Sequence, residues 1–428
     1  MKKSLFLFAG LLLMPGMIRA ESTLTVRADR ENAIYQANEP IKFKIKLVAD
    51  GKPVAAAKLN YALSGDVSVN RKGELATDAN GEAVLATALA RPGFLKCTAN
   101  LASDGKVAGS GGAGIDPLKI TPSRPKPADF DAYWDNRKKI IDEFPSRVKL
   151  TPVESNTPKI LLFDLEIAMP EGNPMRGYLA IPSDAAAKSL SAYVSYHGAG
   201  VRSSGRPTGV AAQGAIALDI NAHGILNGQS DAFYQDLNKG ALKTYRYDGC
   251  EDRDKSYFRG MFDRIYQSLR YVKSRPEWDG KNLIVQGGSQ GGGQALVAAG
   301  LDPAVTCCVA YVPALCDHGG IANGRESGWP RFQWSPGGVT PEKLAAADYI
   351  DAVNFVTRVN PAAEFFLSTG FIDLSCNPAS VYAAYNTIPA KNKFIQNAVE
   401  SGHSIMRSTS DAGNAVVRRH IGKAKNGK

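Results

Sequence analysis

The stretch from Leu283 to Val297, LIVQGGSQGGGQALV, constrains this chain more than any other. Leu283, Ile284 and Val285 form a short apolar run, the pattern of a strand buried on both faces. Gln294 to Ala299 is rich in small and helix-favouring residues and continues as a helix. Between them lie Gly287, Gly288, Ser289, Gln290 and Gly291, which is G-x-S-x-G in a strand, turn, helix setting. Such a turn holds the serine in a strained backbone conformation and lifts its hydroxyl clear of the sheet. A Cβ at Gly287 or Gly291 would collide with the neighbouring strand or helix. The helix that follows aims its free N–H groups at the same spot, where negative charge develops during acyl transfer. The competing reading of these residues is a glycine-rich turn with an ordinary serine.

A serine hydroxyl is a weak nucleophile near neutral pH and needs a base. The chain has five histidines. His420 lies in a basic tail and is set aside. His197 follows a strand in Tyr196-His197-Gly198-Ala199-Gly200, the place of an oxyanion-hole loop. His223 and His318 follow other strands. In α/β-hydrolases the partners come in the order Ser, acid, His, with the base on the loop after the final strand. His403, in Glu400-Ser401-Gly402-His403, fits that order. The acid belongs on a loop after the preceding strand, where Asp373 follows Phe365–Gly370; Asp317, one strand earlier, is its competitor. The acid's task is to hold the imidazole tautomer and stabilise the imidazolium. The oxyanion donors expected are the backbone N–H groups of Gln290 and Ala199.

With 428 residues the chain is long enough for two domains. Met1 to Ala20 has two lysines, a short apolar run and small residues before Ala20, which predicts a cleaved secretory leader. The run is too short to span a bilayer, and no Cys near the cut suggests lipid attachment. The expected location is the periplasm or beyond. The net charge is +10, of which Lys2, Lys3 and Arg19 of the leader supply three. Much of the rest sits at Arg418, Arg419, Lys423, Lys425 and Lys428, a tail without interleaved aromatics. That argues for a solvated end and against nucleic acid as a partner. Six scattered cysteines show no C-x-x-C pair, so no zinc site is suggested, and a serine, histidine and carboxylate mechanism needs no metal or organic cofactor.

Residues 21–118 are β-rich. Ile41 to Leu47, IKFKIKL, alternates strictly and predicts a strand with one wet face. Short strands recur at turn-separated intervals, which predicts an immunoglobulin-like β-sandwich. Asp78, Asn80 and Glu82 lack the full calcium ligand set and read as a hairpin turn. Gly109 to Gly114, then Asp116-Pro117, ends the module, and residues 121–127 read as a proline-stiffened linker. From 119 to 428 strands alternate with helices, including one from Tyr257 to Arg275, which predicts an α/β unit on a parallel sheet.

Several separate motifs then fall in one order. They are Gly287-Gly288-Ser289-Gln290-Gly291-Gly292, Val312-Pro313-Ala314-Leu315-Cys316-Asp317, Gly370-Phe371-Ile372-Asp373 and Cys376-Asn377-Pro378-Ala379-Ser380. With Pro127–Trp134, they resemble the acetyl xylan esterase and cephalosporin C deacetylase family (carbohydrate esterase family seven). The resemblance covers roughly residues 125 to 410. It implies an α/β-hydrolase that removes acetyl groups from sugars, with Ser289, Asp373 and His403 as triad, and a tendency to form homo-oligomers. Three departures stand out. Asn221-Ala222-His223 replaces the family's Arg-Gly-Gln, Ala199 replaces a common Tyr, and Ser404 follows His403 in place of Glu. The expected activity is therefore that of an exported serine esterase acting on acetylated carbohydrate. The alternatives are a peptidase of prolyl-oligopeptidase type and a non-catalytic glycan-binding protein.

Overall fold

The computed structural model describes residues 21–65 and 69–426; the leader read at 1–20 lies outside the described residues. The alternation of IKFKIKL is realised directly. Ile41, Phe43, Ile45 and Leu47 are buried and the lysines between them are exposed. Among the described residues nine strands come before residue 116. They are β1 (Ser22–Ala28), β2 (Ile34–Tyr35), β3 (Ile41–Ala49), β4 (Lys52–Pro53), β5 (Lys58–Ser64), β6 (Arg71–Ala76), β7 (Glu82–Thr87), β8 (Gly93–Leu101) and β9 (Asp104–Ile115). One sheet joins β1, β4 and β7 to β3; the other runs β2-β9-β8-β5-β6. Leu24, Val26, Phe43 and Ile45 of the first share one apolar cluster with Leu59, Leu63, Leu95 and Cys97 of the second. Each such side chain contributes about 1.5–3 kcal/mol on burial.

One reading in this half is refined and one is corrected. The glycine-rich stretch Gly109 to Gly114 is the second half of β9. A Cβ at Gly109 or Gly111 would overlap the carbonyls of Leu24 or Val26 on β1, so close strand crossing, not flexibility, selects glycine here. The Asp78 turn joins β6 to β7, which lie in different sheets, so it is a crossover and not a hairpin. Asp78 Oδ1 accepts the N–H groups of Asn80 and Glu82, both at 2.8 Å, and is occupied by its own turn.

The second half carries β10 (Val148–Val153), β11 (Ile160–Ile167), β12 (Met175–Pro182), β13 (Leu190–Tyr196), β14 (Ala215–Ile220), β15 (Trp278–Gly288), β16 (Cys307–Tyr311), β17 (Glu364–Gly370) and β18 (Lys393–Ala398). They form one sheet in the order β10-β11-β12-β14-β13-β15-β16-β17-β18. It is antiparallel as far as β14 and parallel from β14 to β18. Alternate residues serve opposite faces. Leu283, Val285, Cys308 and Leu367 join the helices Phe130–Glu143, Tyr257–Ser274, Gln290–Leu301 and Pro378–Thr387 on one side. Ile284, Cys307, Val309 and Phe366 meet the C-terminal helix Arg407–Asn426 on the other.

That helix overturns the reading of the tail as a solvated end. Val416, Val417 and Ile421 are buried against the sheet. His420 is buried too and bonds Glu364 Oε2 through Nε2 at 2.9 Å. Arg407, Arg418 and Arg419 are exposed on the helix, and the density of basic residues in the sequence masked a helical apolar spacing. The two halves also share a core. Ala33 and Phe94 of the front half belong to the large cluster of the second. Among the described residues no helix is long and apolar enough to cross a membrane.

Candidate active site

Parallel strands bring their C-terminal loops to one rim, and the chemistry-bearing residues collect there. Ser289 sits between β15 and the helix Gln290–Leu301 at φ 58°, ψ −123°, a region costing a non-glycine residue about 1–3 kcal/mol. The surroundings enforce it. Ser289 N–H donates to Tyr311 O at 2.9 Å, and Ser289 O accepts from Ala314 N at 2.9 Å and Gly293 N at 3.1 Å. A side chain on Gly287 would overlap the Gly291 carbonyl, and one on Gly291 the Tyr196 carbonyl.

His403 lies on the loop after β18. Its Nε2 is 2.9 Å from Ser289 Oγ and its Nδ1 is 2.8 Å from Asp373 Oδ2. Asp373 follows β17, and its side chain is wholly buried while His403 remains partly open to solvent. The second carboxylate oxygen accepts N–H groups of Ser375 at 2.7 Å and Cys376 at 2.9 Å. Those bonds fix the carboxylate plane and satisfy a buried charge. The structure therefore brings Ser289, His403 and Asp373 together. Asp317 lies elsewhere. It accepts from Ser123 N at 2.7 Å, Ser123 Oγ at 2.8 Å and Arg325 Nη2 at 2.9 Å, which braces the 121–127 segment.

The loop His197–Gly200 stands beside the serine. A Cβ on Gly198 would lie 3.3 Å from Gly288 O and 3.6 Å from Ser289 Cβ. Gln290 begins the helix and is buried, and Ala199 is exposed at the loop tip. Their side chains and neighbours set the loop. Gln294 Nε2 donates to His197 O at 3.3 Å, Tyr245 O–H to Gln290 Oε1 at 2.7 Å, and Arg202 Nη2 to Gly198 O at 3.1 Å. His197 Nε2 accepts from Ala222 N at 3.1 Å, which leaves its proton on Nδ1, 2.7 Å from Gly198 O. His223, at the departure from the family's Arg-Gly-Gln, accepts from Tyr257 O–H at 2.8 Å and donates to Gly200 O at 3.2 Å. Sequence reasoning missed this scaffold, because Gln294 reads only as the start of a helical run and Tyr245, Arg202 and His223 are remote from the serine in the chain.

Desolvation pushes His197 down to about 4, and His223 and His318 down to about 3. All three stay neutral in the fold and titrate near 6.5 once unfolded. Depressed folded values mean the unfolded chain binds more protons, so stability is full above pH 6.5 and falls toward pH 4. Each group contributes up to about 1.4 kcal/mol per pH unit in that window. Urea midpoints at pH 7, 6 and 5 check this; equal midpoints would contradict it.

Cys376 was not foreseen as a neighbour. Its sulfur, an Asp373 oxygen and a His403 nitrogen lie within 4.8 Å of one another, a grouping able in principle to hold a metal ion. Asp373 and His403 already bond each other, and burial pushes the Cys376 thiol well up, so the donors present are a neutral thiol and an engaged pair.

The acetyl xylan esterase family model matches residues 116–414. Acetyl esterase Axe7A of Xylanibacter ruminicola is 31% identical over 364 residues, which is 83% of this chain and 81% of that protein. Acetyl xylan esterase 1 from Thermoanaerobacterium sp. superposes with a TM-score of 0.61 at 25% identity, over 71% of this chain and 97% of its own. The acetyl xylan esterase from Paenibacillus sp. R4 gives 0.60 at 24% identity, over 71% and 98%. The nine-stranded sheet with helices on both faces is the α/β-hydrolase fold of these proteins. The chain belongs to the acetyl xylan esterase family and is a carboxylic ester hydrolase.

Proposed function

We propose that the protein is an exported serine esterase that removes acetyl groups from acetylated carbohydrates such as xylan or xylo-oligosaccharides. The carrying observation is the hydrogen-bonded chain Ser289–His403–Asp373, with contacts of 2.9 and 2.8 Å. His403 Nε2 takes the hydroxyl proton as Ser289 Oγ attacks the acetyl carbonyl. The N–H groups of Gln290 and Ala199 receive the developing oxyanion, each donor worth about 3 kcal/mol in the transition state. His403 then gives its proton to the departing sugar oxygen, leaving an acetyl-enzyme. Water, deprotonated by the same imidazole, releases acetate. Asp373 stays ionised and holds the imidazole throughout. The family and the Axe7A relative support the acetyl ester as substrate.

Export rests on the leader-like residues 1–20. The proposed division is a leader at 1–20, an immunoglobulin-like sandwich at 21–118 and the hydrolase unit at 119–428. The shared cluster around Leu24 and Leu95 supports the sandwich. Self-association, which the family resemblance implies, is read by light scattering of the purified chain. Acetate release from acetylated xylo-oligosaccharides, set against cleavage of a prolyl peptide amide, tests the substrate class. Release of acetate only is expected, and peptide cleavage without it would overturn the reading.

A further inference from the structure

The front half touches both loops that carry the proposed acid and base. On β8 and β9 the directly opposed pairs are Phe94 with Gly114 and Lys96 with Gly112. Leu95 and Cys97 between them point into the sandwich core, so Phe94, Lys96 and Gly112 share the outer face. That face meets Phe371, two residues before Asp373. The Phe94 ring sits edge-on to Phe371 with centroids 5.0 Å apart, and lies 5.5 Å from Tyr382. A Cβ on Gly112 would stand 2.6 Å from Phe371 Cβ and 2.9 Å from its carbonyl oxygen. Glycine at 112 is therefore a condition of the contact, since any side chain would push the acid loop away.

The acid loop is in turn tied to the base loop. Phe371 N–H donates to Ala398 O and Ile372 N–H to Ser401 O, both at 3.2 Å. Arg27 of β1 pairs with Glu400, three residues before His403, at 2.7 Å. That pair is exposed and worth little by itself; the apolar seat of Phe371 carries the contact.

We propose that the β-sandwich is a positioning element of the active site, with Phe94 as a positioning residue that sets the Asp373 loop through Phe371. The inference rests on the reading of Asp373 and His403 as acid and base. A displacement of about 1 Å in such a constellation costs on the order of 100-fold in rate, so a seat two residues from the acid has leverage.

The charged and titratable groups around His403 are Asp373, the neutral Cys376 thiol with Arg331 beside it, Glu400 with its partner Arg27, and Lys96 facing Asp373. The test uses the full chain and 4-nitrophenyl acetate. F94A is expected to lower kcat about 10–100-fold with KM within about twofold. The acidic limb of kcat/KM moves to lower pH, because the imidazolium loses its carboxylate. F94L, which refills most of the seat, restores kcat to within about threefold. If F94A gives no cooperative melt, G112A reads the same seat from the opposite side and is expected to show the same split. A folded F94A or G112A with kcat within twofold of wild type, or with an unmoved acidic limb, overturns the proposal. Such a result leaves the esterase reading intact, because that reading stands or falls with Ser289.

Discussion

Ser289→Ala is expected to reduce kcat for acetyl ester hydrolysis by about 10⁵–10⁶-fold, the scale seen when a triad serine is removed. In the proposed mechanism this hydroxyl bonds the acetyl carbon while His403 Nε2, 2.9 Å away, accepts its proton. What survives is the contribution of the oxyanion donors and of binding. Initial rates on 4-nitrophenyl acetate, with a fluorophosphonate probe and mass spectrometry of the labelled peptide, give the answer. Normal turnover in S289A, or label on a different residue, would remove Ser289 from the mechanism. The same position carries a second consequence. Its φ of 58° is strained for any residue with a Cβ, so Ser289→Gly should raise stability by about 1 kcal/mol while abolishing activity. Thermal melts of S289A and S289G side by side separate strain from chemistry.

Asp373→Asn ranks second, with an expected loss of about 10⁴-fold in kcat, equivalent to roughly 5 kcal/mol of transition-state stabilisation. The carboxylate accepts three N–H groups, from His403 Nδ1, Ser375 and Cys376. An asparagine amide has one acceptor oxygen. If that oxygen keeps the backbone donors, the NH₂ faces His403 and selects the tautomer with its proton on Nε2, where it cannot serve as base. KM should change little, because Asp373 is buried behind the imidazole and meets no substrate. The double variant S289A/D373N should be no slower than S289A alone, since the two act as one unit. A D373N enzyme within tenfold of wild type would return the acid role to open contest.

The residues that most shape the rim were legible in sequence because their requirements are local. Gly287, Ser289 and Gly291 satisfy one turn, and the chain order of Asp373 and His403 follows from the order of the last strands. Ile41–Leu47 announced its face because period two is written in adjacent residues. What escaped depends on residues remote in the chain. Gly112 reads as one glycine of a glycine-rich stretch until Phe371 is seen against it. The helix Arg407–Asn426 buries Val416, Val417 and Ile421 while Arg418 and Arg419 beside them stay exposed. The antiparallel run β10-β11-β12 carries no signal separating it from the parallel strands that follow. His223 gave no hint of holding Gly200, since the sequence records only a departure from a motif.

All six cysteines are buried as thiols, including the adjacent Cys307 and Cys308 in the middle of the sheet. Their chemistry is therefore guarded by tight packing alone. In its native shape the protein should ignore alkylating reagents, yet a single excursion to the unfolded state would release six reactive sulfurs at once. Heat or denaturant in air should thus leave scrambled crosslinks that block return, whereas the same treatment with a reductant should be reversible. The durability of this enzyme against oxidation would then be a matter of how seldom it opens, not of how much energy separates its two states.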